Sequence, residues 1–262
     1  MRSFIALTLL LNAGFASSVN AHTPYLKPFS FELQNAKAVT LDASFAEQFF
    51  VPESAISNAD FDIVGPDGVT QKIETVVNLE TRNVLEHKIE EDGTYKISTG
   101  NRLGPIFRIY ELNGERGSLR GDEKPLPEGA TLTAKFRPAT SAITYVSKNA
   151  PTRQALKATQ QGFEVLFSTH PNSLFHNEPV AFSVHMNGQP VAEQAVTIYH
   201  AKDQFSEESD QVSVLTDSTG NTQFTPTAAG LYLLKTRLRA DAPAGADVAQ
   251  YSYTTTVTFE VY

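Results

Sequence analysis

The chain has 262 residues, enough for one large or two ordinary domains with real cores. It contains no Cys, which excludes a disulfide framework, a thiolate metal site and a lipid-bearing cysteine; a bound metal would need His, carboxylate or main-chain ligands. The net charge is −8, or −9 without residues 1–21, which carry Arg2 and no acid, and this argues against nucleic acid or an anionic membrane as partner.

Residues 1–21 have the three parts of a signal peptide: Arg2 as the positive start, a short apolar core from Phe4 to Leu11, and Val19-Asn20-Ala21 as the small-residue cleavage site. The apolar run is too short to span a bilayer, and no second candidate follows it. The mature protein is therefore expected in the periplasm and not spanning a membrane. Cleavage after Ala21 makes His22 the first residue; cleavage after Ala16 would be tolerated and would start the chain at Ser17.

Beyond Pro28 the pattern is one of short alternating segments between turn residues. Lys37–Phe45 reads as a strand. Gly65-Pro66-Asp67-Gly68 is a turn with arms at Asp60–Val64 and Thr70–Leu79, and Glu91-Asp92-Gly93 is a hairpin signal between Asn83–Glu90 and Thr94–Ser98. A strand over Ile106–Leu112 precedes a polar loop from Asn113 to Gly129. Thr131–Arg137 and Ala142–Ser147 are two further strands. Residues 148–161 break the pattern, and the Ala, Gln and Lys of Thr152–Gln161 suit one short helix.

The same grammar then resumes with strands at Phe163–Phe167, Val180–Met186, Ala195–His200, Gln211–Leu215, Thr222–Phe224, Leu231–Arg237 and Tyr251–Tyr262. Regularly spaced strands without intervening helices predict an all-β protein of two β-sandwich domains in tandem. The divisions are a signal peptide at 1–21, an N-terminal β domain at 22–160 and a C-terminal Ig-like domain at 161–262.

Two groups of residues carry a resemblance. Asn187-Gly188-Gln189-Pro190-Val191, Ala195-Val196-Thr197-Ile198, Thr216-Asp217-Ser218-Thr219-Gly220 and Ala229-Gly230-Leu231-Tyr232 resemble prealbumin-like and collagen-adhesin-type Ig-like modules, a matter of fold and not of function. Ala21-His22 followed by Tyr25 and Pro28, the segment Ser44–Glu53, Gly65–Gly68, Gly162–Val165, His170-Pro171 and Glu178-Pro179-Val180 resemble a bacterial periplasmic family of unknown function. Its members are often described as periplasmic components of nickel or cobalt uptake. The resemblance implies a periplasmic location, an N-terminal β domain before an Ig-like one, and handling of a transition metal or metal complex beside an inner- or outer-membrane uptake component.

The candidate ligands follow from residue chemistry. A free N-terminal His22 offers an α-amine and Nδ1 on one residue, and one further imidazole would complete three nitrogen ligands that suit Cu(II) and Ni(II), with copper favoured by raw affinity; the resemblance adds Co to the candidate ions. Otherwise it is a frayed terminus. His170 and His176 lie in a loop with Glu178, where two imidazoles and a carboxylate could meet; solvated loop histidines are the alternative. His87 sits on a polar strand beside Glu86 and Lys88. Glu53, bracketing Phe49-Phe50-Val51 with Glu47, is a carboxylate ligand or a surface group.

Catalytic signatures are missing: the sequence has no Gly-x-Ser-x-Gly, His-Glu-x-x-His, phosphate-cradling glycine loop or dinucleotide fingerprint. The expected function is accordingly binding of a transition metal or metal complex, and not enzymatic. The alternative is a metal-free Ig-like adaptor for a protein or glycan, using Tyr25, Tyr251 and Tyr253 as exposed aromatics.

Overall fold

The computed structural model describes residues 22–201 and 210–262. The expected signal peptide, residues 1–21, lies outside the described residues. The first half holds β1 (Thr23–Pro28), β2 (Ala38–Ala46), β3 (Ser54–Ala55), β4 (Asp62–Val64), β5 (Thr70–Lys72), β6 (Thr75–Asn78), β7 (Asn83–Lys88), β8 (Gly93–Ser98), β9 (Arg102–Leu103), β10 (Phe107–Leu112), β11 (Glu115–Arg120) and β12 (Thr131–Lys148). A 3-10 turn at Gln154–Leu156 is followed by β13 (Phe163–Phe167), β14 (Val180–Met186), β15 (Gln189–Pro190), β16 (Ala195–His200), β17 (Asp210–Leu215), β18 (Asn221–Phe224), β19 (Gly230–Asp241) and β20 (Gln250–Val261).

Among the described residues these strands form three sheets. One has the order β1-β2-β7-β6 with β3 beside β2; a second has β13-β14-β15 with β18 beside β14. The third is long, β17-β16-β19-β20-β12-β8-β4-β5, with β9 and the β10–β11 hairpin also joined to β12. Each smaller sheet covers part of the long one, so the protein is all-β with two sandwich cores. The first core gathers Leu26, Val39, Leu41 and Leu85 with Ile63, Ile97, Ala142 and Val146. The second gathers Val165, Phe182 and Val184 with Ile143, Tyr145, Leu234, Val257 and Phe259.

Strand β12 belongs to both. Its side chains alternate in direction, so Ala142 and Val146 enter the first core while Ala139, Ile143 and Tyr145 enter the second. On its other edges it pairs in parallel with β20 from Arg137↔Tyr251 to Thr144↔Thr258, and antiparallel with β8 from Tyr145↔Lys96 onward. A strand buried on both faces needs a continuous apolar stretch, and Ala142–Ser147 is buried throughout. Its one polar even-numbered member inside that run, Thr144, donates its hydroxyl to the Thr258 carbonyl at 3.0 Å.

Five expectations from the sequence are corrected. Thr70–Leu79 is not one hairpin arm: β5 pairs with β4 in the long sheet, whereas β6 crosses to pair with β7 in the first sheet. Thr131–Arg137 and Ala142–Ser147 are one strand, because Pro138 sits at a position facing Ser252 where the chain runs on without needing its missing N–H. The segment Asn113–Gly129 contains β11, turned from β10 on Asn113 and Gly114, both at positive φ (54° and 80°), as a two-residue hairpin requires. β7 and β8 do not form a hairpin: they lie in different sheets, and the chain arches between the layers over Glu91-Asp92-Gly93. Gly93 has φ 134°, and a Cβ there would meet Pro66 at 2.7 Å. Finally, Thr152–Gln161 forms only the single 3-10 turn.

The C-terminal pattern has the expected physical content. Asp217 Oδ1 accepts from the main-chain N–H groups of Thr219 and Asn221, fixing the turn before β18. Tyr232 stacks on its cross-strand partner Phe259 at 5.8 Å and 6°, and its hydroxyl donates to the Ala228 carbonyl. Because the two cores share β12, they should unfold together. Ile97→Ala in the first core and Leu234→Ala in the second, both at 0% exposure, should each cost about 2–5 kcal/mol. Urea titration followed by circular dichroism and by tyrosine fluorescence should show one coincident transition in each variant. Two separated transitions, only one of them shifted, would contradict the shared strand.

Candidate metal centre

His22 immediately precedes β1, and Glu53 immediately precedes β3. Both short strands flank the end of β2, with Thr23 opposite Ala46 on one side and Ser54 opposite Phe45 on the other. The two side chains reach toward each other across that strand end, and His22 Nδ1 lies 2.7 Å from Glu53 Oε2. The second carboxylate oxygen is also held: the Glu47 main-chain N–H donates to Glu53 Oε1 at 2.8 Å. The Glu53 N–H itself donates to the Phe45 carbonyl at 3.1 Å. Side-chain exposures of 53% for His22 and 32% for Glu53 leave the pair open to a ligand from solvent.

Beneath this open pair the packing is tight. The loop between Glu47 and Glu53 turns Phe49 and Phe50 inward, where they join Tyr25, Ala46, Tyr199 and Leu233 in a small cluster of their own. Tyr25 meets Phe50 edge to face at 5.0 Å, and Phe49 meets Tyr199 at 5.2 Å. Tyr25 is 1% exposed, and burial, with the Asp42 carboxylate adding to it, pushes its phenol up to about 12. This corrects the expectation of exposed aromatics, since Tyr251 and Tyr253 are buried as well.

The cluster ties the start of the chain to its end. Thr256 donates its hydroxyl to the Pro24 carbonyl at 2.8 Å, and Lys235 Nζ donates to Thr23 Oγ1 at 3.4 Å while sitting 5.5 Å from the Tyr199 ring. Burial, reinforced by Arg237, lowers the Lys235 pKa. Sequence reading did not single out Lys235 or Tyr199, and no local signal could have: Thr23 and Lys235 are 212 positions apart.

The other candidate ligands sit elsewhere. His87 is 5% exposed on β7; its Nδ1 accepts from the Glu74 N–H at 3.3 Å. His170 is 9% exposed and has both ring nitrogens engaged. Its Nε2 bonds the Thr152 carbonyl at 2.9 Å and Thr94 Oγ1 at 3.1 Å, and its Nδ1 accepts from the Asn172 N–H at 3.1 Å. The same network continues through Ser147 to Asn172, so His170 pins the loop before β14 onto β8 and β12. His176 instead donates Nδ1–H to the Tyr262 carbonyl at 2.9 Å near the surface. His170, His176 and Glu178 are not gathered into one site by any contact, and among the described residues no group of three or more His, Asp and Glu side chains is placed to hold a metal. The structure brings together His22 and Glu53 alone. Cutting the bond before His22 would add the α-amine as a third donor at that pair.

The comparisons with known proteins add a family. The model of a domain of unknown function, DUF4198, matches residues 19–240. Among curated proteins, none matches the sequence. Solved structures with some likeness include the D0-D1 domain of intimin, at 17% identity and a TM-score of 0.22 over 89% of this chain and 96% of that one. The Escherichia coli adhesin FdeC follows at 11% and 0.23, over 92% and 65%, and the FN1-FN3 domains of chicken CNTN1 at 10% and 0.23, over 91% and 98%. At these TM-scores the fold rests on the strand pairing described above.

The buried histidines give the protein a pH dependence. Burial holds His87 and His170 below the ordinary value of 6.5, so both are neutral in the fold while the unfolded chain protonates first. Their contribution to stability is complete above about pH 6.5 and is lost as pH falls from there through the lower folded pKa values. The urea midpoint should therefore drop between pH 7.5 and 5.5, and it should drop less in His170→Gln, whose side chain does not titrate. An equal drop in that variant would remove His170 from the account.

Proposed function

The chain belongs to the DUF4198 family, and we propose that it is an exported periplasmic protein that binds a transition metal ion, or a small complex of one, as an accessory to metal uptake. The observation that carries this reading is the 2.7 Å contact between His22 Nδ1 and Glu53 Oε2, at the residue that signal-peptide cleavage would leave first. The fit is that of an open, preformed half-site. A chelate needs donors held in place, and β1 is held by its pairing to β2 and by the cluster around Tyr25.

The chemistry follows from the donor set. The α-amine and Nδ1 of one residue form a chelate, and both must be unprotonated to bind. Taking Nδ1 as a ligand gives up its hydrogen bond and frees Glu53 Oε2 beside the ion, as oxygen donor or counter-charge. The Glu47 N–H keeps that carboxylate oriented. Two nitrogens and an oxygen suit Cu(II), Ni(II) and Co(II), with copper binding tightest on raw affinity. In this reading the protein is a carrier or sensor that hands its metal to a membrane uptake component, and it needs no catalytic group.

Isothermal titration of the chain beginning at His22 with Cu(II), Ni(II) and Co(II) tests it. At least one ion should bind tighter than about 10 μM, roughly −7 kcal/mol. Adding a Met before His22 should weaken binding at least tenfold, and Glu53→Gln should weaken it by a smaller factor. Affinity should fall from pH 7.5 to 5.5 as protons compete. Binding no tighter than about 10 μM for every ion, or affinity indifferent to the added Met, sinks the proposal.

A further inference from the structure

The outer face of the long sheet carries a group of cations that the His22 site does not use. Along β19, Tyr232 and Leu234 enter the second core, so the alternating residues Lys235, Arg237 and Arg239 stand on the opposite face. The Arg239 guanidinium lies 3.9 Å over the Phe136 ring of β12. Phe136 in turn stacks with its cross-strand partner Phe107 at 5.9 Å and 17°, and Phe107 stands opposite Arg120 of β11. A row of Arg239, Phe136, Phe107 and Arg120 thus crosses the sheet. Arg237 is anchored beside it, its Nε donating to Thr254 Oγ1 at 3.1 Å.

These cations crowd one another. After burial, Arg116 of the hairpin and Arg237 are what lower the Arg239 pKa, and Arg120 acts likewise on Arg102. Among the described residues no carboxylate forms an ion pair with Arg116, Arg120, Arg237 or Arg239. Glu111, opposite Arg116, and Asp241, next along the same side of β19, border the group without closing on it. In a chain of net charge −8, four arginines bordered by only these two carboxylates are a local repulsion that an anion would relieve.

We propose that this face binds an acidic polysaccharide, its carboxylates gripped by Arg237, Arg239 and Arg120 and its sugar rings laid against Phe107 and Phe136. The cations of the row are arginines, whose planar forks bind oxyanions in bidentate fashion. Phe136 holds the Arg239 plane in place, which lowers the ordering cost of binding. Arg237 and Arg239, two residues apart on a strand, present successive charges about 7 Å apart, a spacing for a repeating anion rather than for one small ion. Flat apolar rings between cations suit the C–H faces of sugars. A bilayer is a poorer match, because neither Phe107 nor Phe136 is among the largely exposed apolar side chains that a membrane would take up. The site is distinct from His22 and does not depend on the metal reading.

The test is fluorescence anisotropy of labelled polygalacturonate with the chain beginning at His22, in EDTA so that no metal can bridge. Binding should be saturable at low salt and weaken as salt rises. Arg237→Ala with Arg239→Ala should reduce affinity at least tenfold. The same pair changed to Lys, keeping the charge but losing the fork, should reduce it at least threefold, and it decides the matter if the alanine pair does not fold. Lys88→Ala, an exposed cation on β7, should change nothing. The proposal is overturned if both arginine pairs bind as the unaltered protein does, if Lys88→Ala loses as much as they do, or if single-stranded DNA or vesicles of anionic phospholipid bind more tightly than the polysaccharide.

Discussion

The two-sided burial of β12 is the constraint on which the rest of the molecule depends. Ala142 and Val146 serve one core and Ile143 and Tyr145 the other, so neither half can be repacked without disturbing its neighbour. The parallel pairing of β12 with β20 then brings the last strand of the chain into the middle of the long sheet. That leaves the outer face of β19 and β20 available to the first strand, which Thr256, Lys235 and Leu233 receive. The position of His22 is thus set by residues at the opposite end of the sequence.

Magnitudes indicate what the His22–Glu53 contact is for. A histidine–carboxylate contact this open to solvent is worth about 0–1 kcal/mol, too little to organise a strand end. The cluster beneath does that work: fully burying side chains of the size of Tyr25 and Leu233 contributes about 1.5–3 kcal/mol each. The pair therefore sits on a rigid base without being needed for the base to form. A stability-neutral, oriented and accessible imidazole–carboxylate pair fits the binding role proposed for it. His170 shows the contrary arrangement, with both nitrogens engaged inside a buried network and nothing left for a ligand.

Much of the architecture could be read directly from the residues. Alternation and turn chemistry mark most strands, and Asp217, Gly220 and Tyr232 do what their pattern in Ig-like modules suggests. What escaped reading was of two kinds. Some of it was local and legible in principle: Asn113-Gly114 is a strong hairpin signal inside what otherwise looks like a polar loop. The remainder was non-local. Nothing near Gly93 tells a hairpin from an arch between layers, because the choice is made by which sheet each arm can bury itself against. The candidate site divides the same way. His22 announces itself through the cleavage pattern, whereas its pairing with Glu53 requires β1 and β3 to flank one strand end, and the arginine face requires β10, β11, β12 and β19 to be laid side by side.

A protein with an acidic total charge can thus carry a locally cationic face, and a short N-terminal segment can be part of the core of a chain whose last strand completes it. The central claim is that cleavage before His22 creates a metal ligand. Its most direct measurement is made on protein isolated from the periplasmic fraction: intact mass gives the first residue, and elemental analysis of the same sample gives the metal. The account predicts a chain that starts at His22 and carries copper, nickel or cobalt in near-stoichiometric amount. A chain that starts at Ser17, or one that starts at His22 and stays metal-free after exposure to these ions, would contradict it.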